Sequence, residues 1–117
     1  VRRACIPASN GIMNARSVAK HYAAISGGTV DGVRLLSDAT LAEALRPTGP
    51  DPRRGLGYGL CGPDADPGAV FGHGGYGGSN AFADRRCRLA FCVARRRMSD
   101  PDVSNALVSE IRAALGC

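Results

Sequence analysis

The sequence predicts an α+β fold in one small domain, and three observations predict it. Residues 14–45 hold two apolar patterns of helical period, residues 57–94 shift to the alternation of strands, and residues 99–116 return to a helical period. Helices, then an antiparallel sheet, then a terminal helix packing on the sheet is the resulting order.

Asn14 is placed to cap a helix over 15–26, because its side chain can accept from a first-turn N–H. Val18, Tyr22 and Ile25 share one face, and Gly27-Gly28 end the helix. Asp31-Gly32 reads as a tight turn between Thr29-Val30 and Val33-Arg34-Leu35-Leu36. Ser37 caps a second helix with Leu41 and Leu45 inward, stopped by Pro47. Three prolines make 47–54 a loop. Short strands follow at 57–60 and 69–73, separated by a Pro/Asp/Gly loop over 62–68. Residues 79–83 and 88–94 form two arms of a hairpin that turns at 84–87. In the second arm Leu89, Phe91 and Val93 share one face and the smaller Ala90, Cys92 and Ala94 the other. That pattern predicts a sheet covered on both sides, with the small face taking the last helix close. That helix starts at Ser99 or Asp100, has Pro101 in its first turn, and repeats Val103, Leu107, Ile111 and Leu115 every fourth residue.

A chain of 117 residues buries roughly two thirds of its unfolded surface. Aromatics are only 5% with no Trp, which leaves a thin core. The opening Val1-Arg2-Arg3 without an initiator Met reads as part of a longer polypeptide. The net charge is +5, carried by fourteen Arg and one Lys. The arginines are scattered along the chain, which predicts a solvated surface rather than a nucleic-acid stripe, so no nucleic-acid partner is expected. Five cysteines show no C-x-x-C pair, so neither a zinc site nor a disulfide framework is expected and the thiols read as reduced. No apolar run approaches the about 18 residues of a membrane span.

Chemistry concentrates in Val70-Phe71-Gly72-His73-Gly74-Gly75-Tyr76-Gly77-Gly78-Ser79, where five glycines fall within seven positions. Without a Cβ, another backbone or a ligand can come close. Histidine is the residue type suited to donating, accepting or relaying a proton near neutral pH. On composition alone the same stretch reads as a Gly-rich loop. A second candidate is Ser17-Val18-Ala19-Lys20, which spells S-x-x-K in the first turns of a helix, one turn bringing the amine near the hydroxyl. The residues after it, His21-Tyr22-Ala23-Ala24, form no buried apolar helix, and Ser17 reads as a surface residue.

Two blocks give the chain a resemblance to the C-terminal part of the beta-lactamase-related serine hydrolases, the group of class C beta-lactamases and penicillin-binding esterases. The first is Asn10-Gly11-Ile12-Met13-Asn14-Ala15-Arg16-Ser17-Val18-Ala19-Lys20-His21-Tyr22, continued by Gly27-Gly28 and Val33-Arg34-Leu35-Leu36-Ser37. It resembles the capped helix, Gly-Gly break and "rLLs" helix start that follow the family's catalytic motifs. The second is Phe71-Gly72-His73-Gly74-Gly75-Tyr76-Gly77-Gly78 with its hairpin and terminal helix, similar to the family's third motif, Lys-Thr/Ser-Gly or His-x-Gly.

The resemblance implies part of a beta-lactamase/transpeptidase-like fold, lacking the N-terminal catalytic part, and an acyl-serine mechanism on an ester, amide or β-lactam-like bond. It implies a small-molecule or peptide-like substrate and neither metal nor cofactor. His73 takes the place of the third-motif lysine, Gly74 and Gly75 hold the strand edge open to substrate, and the Tyr76 backbone N–H completes the oxyanion hole. The serine, lysine and tyrosine of the earlier motifs would precede Val1, leaving this stretch inactive by itself. A non-catalytic binding or scaffold relative of the same fold is the second reading, and a basic Gly/Arg-rich nucleic-acid binder the third.

Overall fold

Two helices, a four-stranded sheet and a last helix follow one another in the computed structural model, which describes Ile6, residues 11–98 and residues 102–117. The expected helix start at Ser99 or Asp100 lies outside the described residues. Helix α1 (Ala15–Ile25) opens with the Asn14 side chain accepting from Ser17 N–H at 2.8 Å. It closes at Gly27, whose φ of 97° suits a residue without Cβ. Asp31 (φ 51°) and Gly32 (φ 78°) make a tight turn, with Val30 and Val33 exchanging hydrogen bonds at 3.0 and 2.9 Å. Helix α2 (Asp38–Leu45) begins where Ser37 accepts from Thr40 N–H at 3.1 Å.

Strands β1 (Gly59–Leu60), β2 (Val70–Gly74), β3 (Asn80–Asp84) and β4 (Leu89–Val93) pair antiparallel in sequence order, with a 3-10 turn at Pro67–Ala69 before β2. The arrangement is α+β and is consistent with part of a beta-lactamase-like fold. The first strand is shorter than the expected 57–60, because Gly55 N–H bonds Tyr58 O at 3.0 Å and folds the chain back before it can pair. The registers Phe71↔Ala83, His73↔Ala81 and Gly72↔Phe82 fix which residues share a face.

On one face Phe71, Ala81 and Ala83, with Leu60, meet Tyr22, Ile25, Leu41 and Leu45 in the main core, and Ala90 and Cys92 pack against it. The rings of Tyr22, Tyr58 and Phe71 cluster there at 5.3 to 6.3 Å. Burial, with the neighbouring Tyr58 and Cys92 adding to it, pushes the Tyr22 phenol up to about 12, so it stays neutral in the core. The small-residue face is therefore taken by α1, not by the last helix as the pattern of β4 suggests. Alanines at 81, 83 and 90 leave room for the bulky Tyr22 and Ile25 to approach.

Helix α3 (Asp102–Leu115) covers the opposite face, where Phe82 and Phe91 stack at 5.4 Å and the Arg112 guanidinium lies 5.2 Å above the Phe82 ring. Its contact side is Ser104, Val108, Ile111 and Arg112, while Val103, Leu107 and Leu115 are exposed. Of the expected apolar seam, only Ile111 thus stays toward the sheet. Polar anchors set the rotation: Arg112 reaches Asp84 at 2.9 Å and Ser104 Oγ donates to Gly78 O at 2.5 Å.

A disulfide joins Cys87 in the β3–β4 turn to Cys117 after α3, correcting the expectation of reduced thiols. Helix α3 ends beside that turn, with the two Cα atoms 5.9 Å apart. Cys61 and Cys92 are free.

Candidate active-site hairpin

Strand β2 reaches the surface at His73 and Gly74 after three buried residues. Its neighbour β1 pairs it only at Gly72 and Phe71, so beyond Gly72 that edge has no strand partner among the described residues. Cys61 N–H donates to Val70 O at 2.7 Å, so Val70 turns its backbone toward β1. By strand alternation Gly72 and Gly74 do the same, which leaves Gly74 presenting its backbone at the open edge. His73 shares the face of Phe71 and stands exposed past the end of the core.

Gly75 closes the hairpin, donating to Ser79 O at 2.7 Å and accepting from Gly78 N–H at 3.1 Å. Tyr76 sits at the tip with its side chain in solvent, 98% exposed, and its backbone N–H makes no hydrogen bond among the described residues. The tip is held from below by groups that sequence patterns do not single out. Ser79 Oγ accepts from Arg95 N–H at 3.0 Å, buried Ser104 bonds Gly78 O, and Met98 lies so close to Gly77 that a Cβ there would sit 2.9 Å from its Cγ. Gly72 is equally constrained, since a Cβ would lie 2.6 Å from that of Phe82. Glycine is required there by the close approach of β3.

Alongside the open edge runs a groove of about 790 Å³ that His73, Gly72 and Gly74 line together with Arg53, Arg54 and Cys61. Arg53 is fixed by Asp64 and by Gly62 O at 2.5 Å. The groove and its exposed Cys61 thiol carry no sequence pattern, because they arise only where the loop over 51–54 meets β1.

The S-x-x-K pair does not come together as a nucleophile and its base. Ser17 Oγ donates to Asn14 Oδ1 at 3.0 Å and Lys20 pairs with Asp31, so each is engaged away from the other. Among the described residues no group of three or more His, Cys, Asp or Glu is placed to hold a metal ion. No described helix is long and apolar enough to cross a membrane.

The chain is 37% identical over 107 residues to "Esterase/beta-lactamase LipL" of Mycobacterium tuberculosis, covering 82% of this chain and 24% of that protein. The likeness supports a beta-lactamase-related esterase family. The chain spans about a quarter of the length of that relative. No protein-family model matches the chain, and no solved structure matches it.

Proposed function

We propose that this chain supplies the third active-site element of a serine hydrolase that acts on an ester, amide or β-lactam-like bond through an acyl-serine. The observation that carries the reading is the exposed His73 beside a strand edge, followed by a tip N–H, both without a partner among the described residues. The esterase and beta-lactamase named in the relative supports the bond class.

On this reading a substrate carbonyl lies along the Gly74 edge, where no Cβ obstructs it. His73 donates to, or relays a proton through, the group that activates the nucleophile. The Tyr76 N–H and the nucleophile's own N–H hold the oxyanion, a donor whose loss typically costs about 2.7–4 kcal/mol in the transition state. The hairpin's anchors at Ser79 and Ser104 keep that donor in place before charge develops. The serine, lysine and tyrosine belong to the chain preceding Val1, consistent with the engagement of Ser17 and Lys20 elsewhere.

A fluorophosphonate probe tests this assignment. The expected result is covalent labelling of a polypeptide that includes the residues before Val1, on a serine among them, and no labelling of this chain alone. Labelling of this chain that disappears in Ser17→Ala would place the nucleophile on α1 and overturn it.

A further inference from the structure

Most cations that the structure describes are matched by a carboxylate. Arg34 pairs with Asp38 and Arg46 with Glu43, each at 2.6 Å; Arg53 pairs with Asp64, Arg54 with Asp51 at 3.8 Å, and Arg86 and Arg112 share Asp84. Arg16, Arg85, Arg88, Arg96 and Arg97 break the pattern, with no ion pair among the described residues. The first three border one groove, of about 710 Å³, that runs between α1 and the β3–β4 turn. Lys20 is the fourth cation on its rim and is paired with Asp31. The rest of the lining is mostly small, with Ala19, Ala23, Ser26, Gly27, Gly28 and Ala90 in it, and holds no carboxylate. This groove lies at the Asp84 end of β3, whereas His73 pairs beside the other end.

Such a concentration works against folding unless something offsets it. Arg16 and Lys20 are like charges one helical turn apart, an arrangement unfavourable in a helix. Arg88 holds a φ of 55°, a left-handed conformation in which glycine would be less strained. Three cations without a carboxylate partner and a fourth shared with Asp31 leave a net positive potential that an anion would neutralise. Three guanidinium forks and an ammonium suit a group with several oxygens and more than one negative charge, which favours phosphate over a single carboxylate.

We propose that this groove binds a phosphate-bearing ligand through Arg16, Lys20, Arg85 and Arg88. The proposal does not rest on the hydrolase reading, and its test uses no turnover.

Isothermal titration calorimetry with sodium pyrophosphate at low ionic strength reads the soluble source of phosphate. Flotation with phosphatidylcholine vesicles, with and without phosphatidylglycerol, reads a lipid headgroup. Saturable binding in either arm is expected, weakened about tenfold or more in Arg85→Gln/Arg88→Gln. Arg96→Gln/Arg97→Gln removes the same charge from exposed positions outside the groove and should leave binding within about twofold of the unaltered protein. Arg88→Gly separates binding from folding, since it relieves the left-handed strain: its melting temperature should hold or rise while its binding falls. Absence of binding in both arms, or equal weakening by the control pair, overturns the proposal. So does tighter binding of an oligonucleotide that depends on the same arginines, which would make the groove part of a nucleic-acid surface.

Discussion

Asp84 is a carboxylate with no exposed side-chain surface, held between Arg86 at 2.7 Å and Arg112 at 2.9 Å. Burial by itself would push its carboxyl up, but the hydrogen bonds and charge of Arg86, with the charge of Arg112, outweigh that and hold it below its ordinary 3.8. The unfolded chain therefore takes up this proton at higher pH than the folded one. The pair's contribution is fully present above the unfolded value, and is lost as pH falls through the lowered folded value. Arg86 and Arg112 both keep access to water, which reduces what the pair contributes, so Asp84→Asn should cost about 2 kcal/mol at neutral pH. Melting temperatures measured from pH 7 down to pH 2 check this: the variant should start lower and lose less below about pH 4 than the unaltered protein. Parallel acid limbs in the two proteins would show that Asp84 is not the group that titrates.

Elements divide by how local their causes are, and that decides what can be read from the sequence. Both early helices are legible because their caps, Asn14 and Ser37, and their ends at Gly27 and Pro47 act within one turn. The Asp31-Gly32 turn is legible for the same reason, as are β3 and β4, whose edges shift by only a residue. His73 and its glycines stand out because a density of glycine has a direct steric meaning. The packing side of α3 is only partly legible: Val103, Leu107, Ile111 and Leu115 make the apolar seam, yet the long-range pairs Ser104 to Gly78 and Arg112 to Asp84 turn the helix so that only Ile111 of the four stays toward the sheet. The supports of the hairpin tip, Ser79, Met98 and Ser104, are hidden for the same reason. The Cys87–Cys117 bridge is hidden too, since it depends on α3 ending beside the β3–β4 turn, 30 residues on in sequence. Closing a loop of that length is worth about 3–4 kcal/mol in the chain-entropy account. Cys87→Ser should lower stability toward denaturant by about that amount, and added dithiothreitol should do the same to the unaltered protein while leaving the variant unchanged. A variant as stable as the original would show that α3 docks without the bridge.

For the molecule as a whole, one sheet carries two faces and two ends of different make-up. Tyr22, Ile25, Leu41 and Leu45 cover one face and form the main core with Leu60 and Phe71, and α3 holds the other through an aromatic pair and a buried carboxylate. At one end β2 leaves its edge open beside His73, and at the other four cations surround a small-residue groove. The chain spans about a quarter of the relative's length, and the proposal that it supplies one wall of an acyl-transfer site leaves the nucleophile to another part of the polypeptide. The most direct measurement is kcat/KM for a short-chain nitrophenyl ester, in a polypeptide carrying this chain with the residues before it, compared with its His73→Ala variant. Because His73 is exposed past the end of the core, the melting temperature should not change, while kcat/KM should fall about a hundredfold or more. An unchanged kcat/KM in a folded His73→Ala protein would contradict a role for this hairpin in the chemistry.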